Sequence, residues 1–317
     1  MSTDYHSTLP SRSERRERRE SRKTTFNAGH FIIVGVVLAL IGGVGAYSYY
    51  AYFTSTTEYR IEQAFEFIDN ADTNLARINA VIDGDITDDT EDKVKESLEL
   101  IEPTRDHLRE AANLIKKAQE GAASEDEERL AAIKESIALR GQLLALAPEV
   151  LEVTARSAVA LSGVTVGWEK LIEATTASAS AAAAYENLDK AGMLDAVKYS
   201  NAALDALARA RVEFNDAERA LEGLSFKTYI DYIDIREQMA EAAIKMANDW
   251  TNDDQTALKI DMATYNELLL QAQAMEDNDL VPPSDIVAAR YQALVGTQNA
   301  DYLAIRDQIA ALDVQVR

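Results

Sequence analysis

The sequence predicts an all-α protein, with one transmembrane helix followed by an extracytoplasmic array of helical hairpins arranged as a bundle or a short α-solenoid. Its 317 residues include only 5 Pro and 13 Gly, and Ala, Leu, Glu and Asp are abundant, which favours helix. Residues 31–53 form an apolar stretch of membrane-spanning length, and apolar residues beyond it repeat at helical spacing. The 47% content of hydrophobic residues argues against wholesale disorder.

Charge divides the chain into three segments. Residues 1–29 carry seven basic and four acidic side chains and form a predicted disordered, cytoplasmic head. Residues 30–53 carry no Lys, Arg, Asp or Glu and form the predicted transmembrane helix. Residues 54–317 carry 50 acidic and 25 basic side chains and form the predicted all-helical extracytoplasmic domain. Because nucleic acid is bound chiefly by basic surfaces, this acidic domain argues against a nucleic-acid partner.

The apolar segment predicts a cell-membrane location. At 1.5 Å per residue, residues 31–53 cover roughly 30 Å, which matches a bilayer hydrocarbon core. Basic residues precede the segment and tyrosines gather at its far end, so the positive-inside rule places the N-terminus in the cytoplasm. A signal peptide cleaved after Ala46 is the alternative, because Val44-Gly45-Ala46 has the spacing of a cleavage site. We favour the retained anchor because the apolar stretch continues past Ala46.

The head and the apolar segment together resemble a known class of protein. The run SRSERRERRESRKTTFN, followed directly by an apolar helix, resembles the start of small single-pass envelope proteins of Gram-positive bacteria. The resemblance implies a location at the cell envelope and no particular activity.

An apolar stripe begins the main domain. Its members recur at alternating spacings of three and four residues: Ile61, Ala64, Ile68, Ala71, Leu75, Ile78 and Ile82. This spacing is typical of one helix in a bundle, or of a coiled coil that would join two chains in a homodimer through residues 61–82. We favour the bundle because three heptads are near the minimum for a coiled coil.

Gly, Pro and capping residues predict where the other helices end. Helix ends are expected at Gly121, Gly163, Gly192, Gly223 and Gly296, and capping boxes at Ser124–Glu127 and Thr251–Asp254. Prolines suggest a kink or start at Pro103, a first turn at Pro148 and a break at Pro282-Pro283. The predicted helices lie near 55–82, 89–120, 125–146, 148–162, 165–190, 193–222, 226–250, 254–277 and 284–315, the last broken at Gly296.

A weak internal repeat places one arginine in each of three copies. The pattern Ile/Leu-x-Ile/Leu-Arg-x-Gln-apolar contains Arg140, Arg236 and Arg306. Anion binding is one interpretation of these arginines. Carboxylates outnumber bases two to one in the main domain, so we instead expect ion pairs between helices.

One stretch of the main domain suggests a protein-binding repeat. Residues 184–204, AYENLDKAGMLDAVKYSNAAL, resemble a tetratricopeptide hairpin in their small and aliphatic positions. The resemblance implies stacked helical hairpins with a protein-binding surface. Any Ala-rich pair of amphipathic helices has similar positions, and we favour that alternative.

Motifs for catalysis and metal binding are missing from the sequence. The chain has no Cys, its three His are scattered, and HExxH, GxSxG, GxGxxG and GxxxxGK[ST] do not occur. Residues 83–92 contain six acids, but Asp88 stands where an EF-hand has Gly and Val94 where it has Glu, which favours a plain turn over weak cation binding. Trp168 and Trp250 are expected in the core. We therefore predict no enzyme, no cofactor, and no catalytic, cofactor-binding or metal residue.

These observations favour a non-enzymatic, single-pass type II membrane protein. We expect a helical scaffold or adaptor at the cell envelope that binds other proteins, of unknown identity, through helical surfaces. The alternative is a sensory or regulatory ectodomain that acts through a partner membrane protein, since residues 1–29 are too short for an output domain. A helical envelope hydrolase is the alternative from the enzyme class.

Overall fold

The computed structural model describes residues 56–87, 89–120, 122 and 126–316. These residues are helical apart from short turns and include no strand, so the predicted all-α class is confirmed. The chain divides after Arg60 into two compact units, of which the second, Ile61–Arg317, contains the helical cores. The described residues form α1 (Thr57–Ile82), α2 (Thr90–Glu99), α3 (Ile101–Gln119), α4 (Glu127–Tyr185), α5 (Lys190–Ala220), α6 (Lys227–Thr251), α7 (Gln255–Asn278) and α8 (Pro283–Val316).

The predicted membrane segment lies outside the residues that the structure describes. None of the helices α1–α8 is both long and apolar enough to cross a bilayer. The head (1–29), the predicted transmembrane helix (30–53), Gly121 and Ser124 lie outside the described residues. The predictions for them therefore stay predictions.

The first bundle consists of α1, the α2–α3 pair, α4 as far as Leu151 and α8 from Tyr291. The helices α4 and α8 are antiparallel, because Ser136 bonds to Asp313 at one end and Thr154 to Tyr291 at the other. All seven residues of the 61–82 stripe are at most 7% exposed in this core, so the bundle interpretation is confirmed. The stripe is covered by the chain itself, and a homodimer through it would require the bundle to open.

The second bundle consists of α5, α6, α7, the C-terminal half of α4 and the start of α8. Its core contains an aromatic cluster in which Phe214 of α5 stacks on Tyr229 of α6, with ring centroids 4.9 Å apart, and Phe226 lies against both rings. Arg211 of α5 pairs with Asp234 of α6 at 2.5 Å. The bundle is thus held by apolar packing inside and by an ion pair nearer its surface.

The helix α4 differs most from the sequence prediction. It is one 59-residue helix, roughly 90 Å long, whereas Pro148 and Gly163 were expected to divide it into three. Pro148 lies between Ala147 and Val150, which are both fully buried, so packing offsets the cost of an internal proline. A Cβ on Gly163 would lie 3.4 Å from the Glu213 carbonyl oxygen of α5. Gly163 therefore permits close packing between α4 and α5 and does not end a helix.

Other predicted helix ends also need correction. Gly192 lies in the first turn of α5, where its N–H donates to the N-cap Asp189 at 2.6 Å. The cap of α7 is Asp254 alone, since Thr251 is the last residue of α6. α8 continues through Gly296 without a break. The expectations for Pro103, which lies in the first turn of α3, and for Pro282-Pro283 are confirmed.

The hairpin that resembles a tetratricopeptide repeat is a turn between two long helices. It connects α4, with 59 residues, to α5, with 31 residues. A tetratricopeptide unit has 34 residues in all, so the two helices are too long for such a repeat. The resemblance therefore reflects small residues in an ordinary helical pair.

The three repeated arginines each pair with a carboxylate on, or directly after, another helix, as predicted. Arg236 of α6 contacts Glu276 of α7 at 3.3 Å, and Arg306 of α8 contacts Asp83, at the end of α1, at 2.6 Å. Arg140 of α4, which is 1% exposed, contacts Asp72 of α1 at 2.7 Å and Asp313 of α8 at 2.6 Å. Arg140 thus joins three helices of the first bundle.

Each nitrogen of the Arg140 guanidinium forms hydrogen bonds with neighbouring side chains. It donates two hydrogen bonds to each of the carboxylates of Asp72 and Asp313, and two more to the carbonyl and hydroxyl oxygens of Ser136. Burial lowers the pKa of Arg140, but the bonds to Asp72 and Asp313 raise it more, so Arg140 stays charged. Removing it would leave two carboxylates facing each other without a counter-charge.

We predict that Arg140→Ala destabilises the protein by about 3–5 kcal/mol, because breaking a buried ion pair leaves uncompensated charge. Arg156→Ala is the matched control, since Arg156 is 51% exposed and pairs with Glu152 within the same helix. It should cost about 0.5 kcal/mol. Urea unfolding followed by circular dichroism measures both, and a loss below about 1 kcal/mol for Arg140→Ala would contradict this role.

Two carboxyl groups, of Asp249 and Asp261, meet where the end of α6 adjoins the beginning of α7. Burial raises the pKa of Asp249, and the nearby carboxyl groups of Asp261 and Asp254 raise it further. A raised pKa means that the folded protein favours the protonated form of the Asp249 carboxyl. The stability that this protonated carboxyl contributes is present at low pH and is lost as pH rises through the folded-state pKa.

We therefore predict that Asp249→Asn raises the melting temperature at pH 7 and leaves it nearly unchanged at pH 3, where the native carboxyl is protonated. Circular dichroism at 222 nm during heating provides the measurement. Asp195→Asn on α5 is the control, because it removes the same charge from an exposed position. An equal rise for both variants would show that only total charge matters.

Candidate functional site

A cavity of about 390 Å³ opens between α4 and α7 and extends to the connection between α7 and α8. We term it the aromatic cleft. Its lining residues come from α4, α6, α7 and the chain before and at the start of α8: Val164, Thr165, Trp168, Tyr229, Glu276, Leu280, Pro282, Pro283 and Ser284. Most of this lining is apolar, and Glu276 is its only charged member.

An exposed apolar surface on α4 begins in the cleft and continues one turn beyond its lining residues. Trp168 is 41% exposed and Ile172, one turn further along the same face, is 52% exposed. The indole meets the Tyr229 ring edge to face, with centroids 6.3 Å apart and planes at 82°. Trp168 was predicted in the core, which is wrong, because the buried face of α4 here consists of Val164, Gly167 and Leu171.

Tyrosine hydroxyls hold the floor and rim of the cleft in place. Tyr229 donates a hydrogen bond to the carbonyl oxygen of Val281, which fixes the connection that precedes α8. Tyr232 donates to the carboxylate of Glu276, and Arg236 donates to the same oxygen at 3.3 Å. Glu276 is therefore held by two donors from α6 while its side chain remains 45% exposed.

Both tyrosines are neutral donors near neutral pH. Burial raises the pKa of Tyr229 to about 12, and the charge of Asp285 adds to the shift. Burial likewise raises the pKa of Tyr232 to about 12, with a further upward contribution from its hydrogen bond to Glu276. The negative charge at the cleft thus comes from carboxylates, and the tyrosines supply polar but uncharged groups.

The α7 side of the cleft is strongly acidic. Residues 260–289 contain no Lys or Arg, and they contain six carboxylates: Asp261, Glu267, Glu276, Asp277, Asp279 and Asp285. Three of the six lie at 276–279, beside the cleft, where they are all exposed. An apolar, aromatic floor beside an acidic rim is suited to a ligand that is apolar on one side and basic on the other.

The sequence predicted no catalytic, cofactor-binding or metal residue, and it did not predict this cleft. A signal for it was present in the spacing of Trp168 and Ile172 and in the lack of bases from 260 to 289. That signal could not be interpreted without knowing that α4 and α7 lie on either side of Tyr229. The cleft depends on pairing between helices that are more than a hundred residues apart in sequence.

Several carboxylates of the acidic loop at 83–92 already have partners within the protein. Asp83 pairs with Arg306, and Asp89 accepts from the Thr87 hydroxyl and pairs with Lys93 at 2.8 Å. Asp88 lies outside the described residues. Within the described part of the chain, no group of three or more His, Asp or Glu is arranged to hold a metal ion.

Histidine does not add a second kind of site in the described part of the chain. His107 of α3 packs against Phe67 of α1, with ring centroids 6.0 Å apart. His6 and His30 lie outside the described residues.

Comparison with known proteins gives no indication of function, so the functional proposal rests on the aromatic cleft. No protein-family model, no curated protein and no solved structure matches this chain.

Proposed function

We propose that the protein is a non-enzymatic helical scaffold, anchored in the cell membrane by residues 30–53, that binds other proteins through the aromatic cleft. The N-terminus is cytoplasmic and residues 54–317 are extracytoplasmic. The single observation that carries the binding role is the exposure of Trp168 in a preformed cleft, with Ile172 exposed one turn beyond it. Exposed apolar patches of this kind mark interaction sites, and Trp is prominent among residues that dominate binding energy.

Charge selects the partner. The cleft has an apolar floor, a carboxylate at Glu276 and an α7 side without bases, so the complementary ligand carries Lys or Arg next to apolar side chains. An amphipathic basic helix has this composition and binds grooves through one apolar face. We therefore expect a protein partner that offers such a helix.

The long helix α4 makes the cleft rigid and fixes its distance from the first bundle. Trp168 lies 41 residues along α4 from Glu127, which is roughly 60 Å of continuous helix. Since α4 is packed in both cores, the cleft has a fixed position with respect to the first bundle. A scaffold requires this property, because a partner must be held in a defined place.

A sensory ectodomain remains the second candidate, supported by a different observation. An apolar cavity of about 130 Å³ lies between helices of the second bundle and is separate from the aromatic cleft. Small-molecule sites in bundles occur between helices. Signalling would then pass to a partner membrane protein.

The scaffold proposal predicts selective binding of a basic amphipathic helix. A fluorescein-labelled 14-residue peptide of Leu and Lys should bind the full chain saturably, whereas the corresponding peptide of Leu and Glu should not bind. Trp168→Ala should weaken binding about tenfold or more, since truncating a Trp anchor is costly. Fluorescence anisotropy at physiological salt provides the measurement.

The control for this experiment is Leu194→Ala on α5, where Leu194 is 63% exposed and lies outside the cleft. It should leave peptide affinity unchanged. Glu276→Gln should reduce both the affinity and its salt dependence. Equal peptide binding by Trp168→Ala and the native chain would mean that general attraction to the acidic surface, and not the cleft, holds the peptide.

The topology part of the proposal is tested separately. A reporter that is active only outside the cell should work when fused after Arg317 and fail when fused to the N-terminus. Replacing the seven basic residues of the head with Gln should weaken this preference. The reversed pattern would refute the orientation, and a soluble species beginning at Tyr47 would establish the signal-peptide alternative.

A further inference from the structure

The second bundle contains an apolar cavity that does not belong to the aromatic cleft. It has a volume of about 130 Å³ and lies between α4, α5 and α6, with one contact from α7. None of its lining residues carries a charge: Ser178, Ala181, Ala182, Tyr185, Ala196, Ser200, Met239, Ala240, Ala243, Met246 and Tyr265.

Small side chains create this space. The SASAAAA run of α4, residues 178–184, supplies Ala181 and Ala182, and α6 supplies Ala240 and Ala243 opposite them. Where Ala faces Ala across two helices, the side chains do not fill the volume between the backbones. Interiors are ordinarily packed without such gaps, so this cavity, which opens to solvent beside the exposed Ala182, provides room for a ligand.

One polar group in the cavity has no partner. Ser200 of α5 is 1% exposed, and its Oγ has no hydrogen bond. Buried hydroxyls are normally hydrogen-bonded, because leaving one unpaired costs free energy. Since Ser200 lines the cavity, a ligand with an oxygen atom there would satisfy this hydroxyl.

The other lining residues restrict the ligand further. Met239 and Met246 provide polarisable sulfur atoms, which make favourable contacts with aromatic rings, and Tyr185 and Tyr265 add two rings. A cavity of roughly 150 Å³ lined by apolar residues holds a benzene-sized molecule in another protein. An anionic ligand would meet no positive charge in this lining.

We propose that this cavity binds a small, uncharged aromatic molecule of the phenol class, with its ring among the apolar side chains and its hydroxyl bonded to Ser200. This site is independent of the aromatic cleft and of the scaffold role. It assigns a ligand class to the second bundle, and it gives the sensory alternative a specific molecule to detect.

The test uses the full chain and fluorine NMR of 4-fluorophenol, with fluorobenzene as the probe that lacks a hydroxyl. The native chain should bind 4-fluorophenol saturably and about tenfold more tightly than fluorobenzene. Ser200→Ala should remove that difference. Ala243→Leu should reduce binding of both probes, because Ala243 is a half-buried lining residue and Leu would occupy the space.

A matched control exists elsewhere on α4. Ser157 is also fully buried with an unpaired Oγ, but it lies outside this cavity. Ser157→Ala should therefore leave the binding of both probes unchanged. Absence of saturable binding to the native chain would overturn the proposal, as would equal effects of Ser157→Ala and Ser200→Ala. Peptide binding at the aromatic cleft should persist in Ser200→Ala and Ala243→Leu, so failure here is distinguishable from failure of the scaffold proposal.

Discussion

The ion pairs of Arg140 constrain the first bundle more than any other polar contact in the described residues. A cation that is 1% exposed is tolerated only when carboxylates surround it, and here they come from α1 and α8, which are far apart in sequence. Asp72 and Asp313 both bond to the same guanidinium, which requires α1 and α8 to lie at the same level of α4. Charge thus selects the helix register that apolar packing then stabilises.

The fold was predicted well where local chemistry decides it. α6 and α7 each begin and end one residue from the predicted positions, since Asp254 and the surrounding turn residues provide local signals. Prediction was wrong at Pro148, Gly163 and Gly296, where those residue types normally end helices. There, burial of neighbours such as Ala147 outweighs the local preference, and that burial depends on helices far away in sequence.

The functional surfaces were less predictable than the fold. Trp168 lies at helical spacing from apolar residues, so a core position was the reasonable expectation, and its exposure follows only from which face of α4 packs on α5. The SASAAAA run, residues 178–184, forms part of α4. Its consequence, a cavity beside Ser200, arises because α6 also presents alanines at that level. Predicting the cleft and the cavity requires the relative positions of the helices, and hydrophobic periodicity in the sequence does not provide them.

The continuity of α4 limits how this protein can change its length. Successive residues of an α-helix are rotated by about 100° and separated by 1.5 Å. One residue inserted between Leu151 and Ala160 would turn the whole second bundle by that angle relative to the first. The helix α8 also connects the two bundles, because Val287 lies in the second core and Tyr302 in the first. After such an insertion, α8 could keep only one of these two residues in its core. An insertion in α4 therefore requires a compensating one in α8, and the two helices are bound to evolve in step.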